Sequence, residues 1–420
     1  MQALWKDVEV RNNALLVVEC DGPLAPAQVR RALDRLLDVC PWPAARLRRP
    51  FPWGRLHWAA GPRARLVAPP VGHRSVTSPE NLHKELEAEL SAAIDPRRGP
   101  LLRVLLVDCD WAPAPARNFL VLTWFHPLMD PRGAQNLLRH VAHLDRDDRG
   151  APGGGSPPFA AAPDRRPLQE RGRLARRSLE YMRTLPRVPP VSPGSGLATP
   201  GRARFRQETF VEHAAGVGEP RAAREICARL AVVGKAMAGL WKQRGLPDSP
   251  FFVPIAVDLR PKGEPGPTFG NVLAFHFARF KPSETADVAD LAGSLRRQMT
   301  DAVRDGQIEA NAVAMEFLKY RPVSTMLREL PGTSGRETFS FNCADVMDFP
   351  AALEPLFGRR IVNAYHVPAV LPRPGIGVFF NRCADKTNVV TSWIEGAVSE
   401  GEVARIGDVV REGLGWTRSA

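Results

Sequence analysis

At 420 residues, with 44% hydrophobic and 24% charged side chains, the sequence is long enough for two medium domains and lies in the ordinary globular range. No apolar run reaches about 18 residues, which excludes a transmembrane helix, and the opening MQALWKDVEVRNN lacks the apolar stretch of a secretory signal. The net charge of +12 comes from 49 arginines and only 8 lysines, and the six scattered cysteines form no CxxC pair. Free thiols in a reducing, cytoplasmic setting are expected, with neither a disulfide frame nor a zinc site.

Asn13–Cys20 is a β-rich apolar run, and Ala27–Val39 places Val29, Leu33, Leu36 and Leu37 at helical spacing. Trp53–Trp58 alternates like a strand, Leu82–Ile94 is helical, Leu101–Val107 and Phe119–Phe125 read as buried strands, and Ala134–Leu144 reads as a helix. Glycine- and proline-rich punctuation follows at Gly150–Pro158 and Pro189–Gly196, with Pro167–Leu185 between them long enough for one basic amphipathic helix. Beyond it come strand Arg204–Val211, helix Arg221–Trp241, strands Phe251–Val257 and Val272–Phe280, and helix Ala286–Arg304. Strand Thr338–Asn342, a hairpin around Gly377–Phe380 and Val389–Trp393, and helix Glu400–Leu414 complete the chain. This mixture predicts a two-layer α/β or α+β protein: residues 1–160, a basic bridging segment 161–205, and residues 206–420.

The charge is concentrated in the bridge. Ala161–Arg206 holds eleven arginines against Asp164, Glu170 and Glu180, so +8 of the chain's +12 resides there. Arg171, Arg173, Arg176 and Arg177 fall within two helical turns and could meet an acidic carrier protein, phosphate or a membrane surface, or simply face solvent. Aromatic interleaving is limited to Tyr181, which argues against nucleic acid.

Chemistry is most legible at Val121-Leu-Thr-Trp-Phe-His126-Pro-Leu-Met-Asp130-Pro-Arg-Gly133. A strand runs into a loop, and Asp130-Pro131 forms a good helix start, with a carboxylate N-cap and proline at the first helical position. A histidine just past a strand end is poised as a general base, and such a base contributes about 10²–10⁴-fold. With nine histidines in the chain, chance alone supplies roughly 0.5 HxxxD matches, so the spacing needs its context. His140 and His143 have no carboxylate or cysteine cluster beside them and read as packing or surface residues rather than metal ligands. His276 reads as structural or as lining a tunnel, and His366 as packing or as approaching an acceptor. GxxxxGK[ST] and GxSxG are both absent, so nucleotide hydrolysis and serine-esterase chemistry are unsupported.

In that context the chain resembles the condensation-domain and HxxxD acyltransferase superfamily, with its chloramphenicol-acetyltransferase-like fold. Val29–Arg49 is similar to the family's opening helix and its P-x-L-R run, and Ala93–Arg103 to its F-D-x-x-x-G-P-L-x-R element. Val253–Pro261 resembles V-x-x-R-P, Thr268–Leu273 resembles G-N-x-x, and Thr338–Asn342 resembles the late strand ending in Asn. The resemblance implies two such subdomains with the active-site tunnel between them. It implies an acyl group carried as a thioester on coenzyme A or on a phosphopantetheinyl carrier protein, no tightly bound cofactor, and a hydroxyl or amine acceptor. A monomer is expected.

His126 is then the general base and Asn342 a candidate oxyanion donor. Asp130 is structural, paired with Arg260 in preference to Arg103. Phe125, Pro131, Gly133, Gly270 and Asn271 are candidate substrate-binding positions. Two departures stand out: Phe125 occupies the place of a first histidine in many members, and Pro131 that of a glycine. Pro131 removes an N–H and adds bulk where a substrate arm would pass, and Gly133 is expected to restore the room. The alternative reading is a degenerate, condensation-like binding or scaffold protein.

Overall fold

The computed structural model describes residues 12–51, 54–62, 65–96, 98–111, 117–146, 164–184, 191–195, 201–211, 221–260, 269–320, 339–349, 355–370 and 373–418. The linker expected at 150–158 and the motif residues Thr268 and Thr338 lie outside these, whereas residues 191–195 of the segment expected at 189–196 are described. The chain begins with β1 (Asn13–Cys20), α1 (Pro26–Val39), β2 (Arg46–Arg48), β3 (His57–Ala59), β4 (Val71–Val76) and α2 (Pro79–Ser91). It continues with β5 (Leu102–Cys109), β6 (Asn118–Phe125), α3 (Pro131–Arg146) and α4 (Leu168–Thr184). Next come β7 (Ala203–Val211), α5 (Arg221–Gln243), β8 (Phe251–Asp258), β9 (Leu273–Phe280), α6 (Val288–Arg304) and α7 (Gln307–Leu318). Last are β10 (Asn342–Asp348), β11 (Ile361–Val367), β12 (Ile376–Cys383), β13 (Lys386–Ile394), α8 (Glu400–Leu414) and β14 (Thr417–Arg418).

Two five-stranded sheets organise these elements, in the orders β11-β1-β6-β5-β4 and β10-β12-β13-β7-β14. β1 is buried along its whole length and apolar from Ala14 to Val18 because both its faces are covered. Leu15 and Val17 join one core, Ala14, Leu16 and Val18 the other, and a strand buried on both sides reads as a continuous run. Burying each such Leu or Val contributes about 1.5–3 kcal/mol. β1 pairs antiparallel with β6 on one side and with β11 on the other, so a strand from the far end of the sequence completes the first sheet. The mixed α/β class expected from the sequence is the one observed.

Several elements differ from expectation. α2 starts earlier than Leu82 because Ser78 caps it: the Ser78 Oγ accepts from the Asn81 N–H at 3.2 Å, and Pro79 takes the first helical position. The strand expected at Trp53–Trp58 is the three-residue β3, with Pro52 and Trp53 outside the described residues. The strand expected at Thr338–Asn342 instead begins at Asn342, whose parallel partner is Gly377. The residues before it are tied to β8, with the Ser340 N–H donating to the Phe252 carbonyl at 2.9 Å. β4, α7 and β11 were not foreseen. The bridging helix α4 is present and packs on α7, with the Arg171 guanidinium 5.3 Å over the Phe317 ring, whereas Arg173, Arg176 and Arg177 are exposed. All six cysteines are free and buried. Among the described residues no helix is long and apolar enough to cross a membrane, and no cluster has metal-binding composition.

Candidate active site

β6 delivers Phe125 and then turns through one 3₁₀ turn, His126–Leu128, before α3 begins at Pro131. The loop is pinned at both ends. The His126 N–H donates to the Asn12 carbonyl at 2.8 Å, and the Trp124 Nε1–H donates to the Met129 carbonyl at 2.9 Å. The His126 ring is partly buried, and burial pushes its pKa below the ordinary histidine value. The charge of Asp130 opposes that shift without cancelling it. The imidazole is therefore neutral at pH 7 and able to accept a proton.

Asp130 is the centre of the polar framework. Its Oδ1 accepts from the Gly133 N–H at 2.8 Å, the N-cap bond that starts α3, and from Arg260 Nη2 at 2.9 Å. Its Oδ2 accepts from the Val272 N–H at 2.8 Å. The Asp130 N–H and Arg260 Nη2 both reach the Gly270 carbonyl, at 3.3 and 3.0 Å, and Asn271 Nδ2 donates to the Pro127 carbonyl at 2.8 Å. Arg260 is held in turn by Asp258, whose Oδ1 lies 3.0 Å from Nη1. Arg103, the other arginine weighed for this role, pairs with Glu89. Gly270 has φ of +83°, a conformation natural to glycine, and this turns its carbonyl toward the loop.

The remaining expected residues separate into two groups. Pro131 sits at the first position of α3, where a missing N–H costs nothing and the fixed φ fits the helix. Gly133 does not open room for a substrate: a Cβ there would stand 2.9 Å from the Gly270 carbonyl oxygen, so the small residue permits backbone contact instead. Phe125 is buried, its ring edge-on to Trp58 at 6.4 Å. Gly270 and Asn271 fasten the His126 loop, as described above. Asn342 opens β10, which packs against α3, but no hydrogen bond joins it to His126 or Asp130.

A second histidine underlies the site, beyond what the spacing of the motif conveyed. His366 on β11 is 2% exposed, edge-on to Trp124 at 5.9 Å, and 3.2 Å from the Gln135 amide nitrogen. Arg132 donates to the Gln135 oxygen at 3.4 Å, which leaves the Gln135 NH₂ to donate to His366 Nε2. Burial, with His126 and Arg132 nearby, lowers the His366 pKa to about 3 and keeps it neutral. His140, by contrast, is buried beside Phe269 at 5.9 Å, as a packing histidine.

No protein-family model matches the sequence, and no curated protein sequence matches it. Solved structures do. The starter condensation domain of rhizomide synthetase RzmA, as a double mutant in complex with C8-CoA, is similar at a TM-score of 0.66 and 14% identity, over 98% of this chain and 90% of that one. The chain has the condensation-domain fold. Polyketide synthase associated protein 5 from Mycobacterium tuberculosis shares this fold at a TM-score of 0.59 and 16% identity, over 96% and 93% of the two chains. So does the nonribosomal peptide synthetase FmoA3, at a TM-score of 0.61 and 17% identity, over 99% of this chain and 42% of the synthetase. Against the condensation-domain fold, the HxxxD segment stands out as the feature with chemical content: a neutral histidine on a loop held from two sides.

Proposed function

We propose that the chain is an acyltransferase or stand-alone condensation enzyme that moves an acyl group from a thioester to a hydroxyl or amine. His126 accepts the acceptor's proton as its oxygen or nitrogen bonds to the thioester carbonyl carbon. The carbon–sulfur bond then breaks, and the proton passes from His126 to the leaving thiolate. The observation that carries this reading is the tethering of the histidine loop through Asp130, which holds a neutral imidazole in place without hydrogen-bonding its ring. Asp130 and Arg260 act through position.

Asn342 is read as a side-chain donor to the tetrahedral oxyanion, supported by the packing of its strand on α3. One preorganised donor of this kind is worth about 2.7–4 kcal/mol. That a similar structure was solved with C8-CoA supports a thioester donor. The test is thiol release by the purified chain from acyl-CoA and carrier-bound thioesters across a panel of alcohols and amines, with His126→Ala as the control. Thioester binding without thiol release from any pair would leave the chain a binding protein and defeat this reading.

A further inference from the structure

Between Asp38 and Glu80 the sequence contains seven arginines, no lysine and no acidic residue. Within this stretch β2 and β3 pair antiparallel as a hairpin, whose register pairs Arg46 with Ala59, Leu47 with Trp58, and Arg48 with His57. Strand alternation puts Leu47 and Trp58 on one face and Arg46, Arg48 and His57 on the other. The Trp58 face packs on Phe125, the residue before His126, at 6.4 Å between rings. The hairpin also reaches α7: the Leu56 N–H donates to the Lys319 carbonyl at 2.9 Å, and Arg55 meets Glu316 at 2.9 Å. It therefore forms a rim beside the histidine loop.

Arg46 and Arg48 have no acidic partner among the described residues, although the hairpin and its flank include Arg49 and Arg98 as well. The Leu47 N–H bonds to the Pro96 carbonyl, which brings up Arg98 and its neighbour Asp95, 3.5 Å away. At the turn Phe51 is 60% exposed, its carbonyl accepting from the Gly54 N–H at 2.8 Å while Arg49 Nη1 donates to the Gly54 carbonyl at 2.8 Å.

We propose that this hairpin holds the 3′-phosphorylated ADP end of a coenzyme A thioester, with Arg46 and Arg48 on its phosphates and Phe51 against the adenine. The acyl-bearing arm would run from there to His126; this rests on the acyl-transfer reading above. Clustered guanidinium groups match a diphosphate and a 3′-phosphate through paired, charge-assisted hydrogen bonds, and an exposed ring matches a purine. A carrier protein presents one phosphodiester and no base, so it would leave the Phe51 ring unused.

Calorimetric titration of the full chain with CoA, adenosine 3′,5′-bisphosphate and inorganic pyrophosphate tests the assignment. Arg46→Glu/Arg48→Glu is expected to weaken CoA and the bisphosphate about tenfold or more, with the melting temperature unchanged. Arg296→Glu/Arg405→Glu makes the same charge change on α6 and α8 and is expected to keep both affinities within about twofold. Phe51→Ala is expected to weaken the bisphosphate about fivefold or more, and more than pyrophosphate, which has no base to stack.

Equal weakening by the two arginine double variants, no CoA binding, or displacement of CoA only by RNA or by a carrier-bound arm would each overturn the proposal. Binding is read without turnover. A chain that binds CoA through the hairpin but transfers nothing would refute the proposed function and keep this inference.

Discussion

Asp130→Asn is the sharpest test of how the site is held. Every partner of the carboxylate is a donor: the Gly133 and Val272 N–H groups and Arg260 Nη2. An asparagine must turn its own NH₂ toward one of them. The milder orientation gives up Val272, leaving a buried N–H unsatisfied at about 1–3 kcal/mol. The Arg260 side chain, only 11% exposed, also loses its charged partner, a break that costs about 3–5 kcal/mol when nothing else compensates. Here Asp258 and the Gly270 carbonyl do compensate, so a combined loss of about 3 kcal/mol is expected. Urea denaturation of the wild type, Asp130→Asn, Arg260→Ala and the double variant measures both the loss and the coupling. A loss under about 1 kcal/mol, or strict additivity of the two changes, would show that the pair does not hold the loop.

His126→Ala should lower acyl transfer by about 10²–10⁴-fold while leaving the urea midpoint unchanged, because its ring makes no hydrogen bond among the described residues. The acid limb of kcat/KM should lie below the ordinary histidine value, and Asp130→Asn should move it lower still. Asp130 favours the protonated imidazole, so removing its charge makes deprotonation easier; an upward shift in the pH–rate profile would contradict the electrostatics. Gly133→Ala should cost about 1–3 kcal/mol through the Gly270 carbonyl 2.9 Å from the added carbon, read as a lowered urea midpoint. Asn342→Ala should lower kcat about 10²–10³-fold with KM little changed, and steady-state kinetics showing a KM effect alone would remove it from the oxyanion role.

The strands with continuous apolar runs and the helices with apolar stripes were legible in the sequence, β1 and α8 to the residue, since buried faces impose their own periodicity. What escaped has local causes. β11 carries Asn363 and His366 inside a buried strand, tolerable only because Asn388 bonds the first and Gln135 the second, and such partners are invisible along the chain. α7 buries Ile308, Ala310 and Val313 without a clean polar face, so its pattern gave no stripe to follow. In the site, Asp130 as an N-cap could be read from Asp-Pro alone, and its pairing with Arg260 came from the resemblance. The assignment of Gly133 to substrate failed because close approach to Gly270, distant in sequence, decides what that glycine is for.

The placement of β11 has a bearing on how the protein is made. Until Ile361–Val367 emerges from the ribosome, β1 lacks one of its two neighbours and offers a free Leu- and Val-rich edge. At about 5–20 residues per second, synthesis of the intervening chain takes roughly 17–70 s, long enough for that edge to find another nascent copy. Expression that is slowed, crowded or cut short before residue 361 should therefore yield inclusion bodies even where the finished molecule is stable, and a holdase chaperone present during translation should relieve this more than one added afterwards.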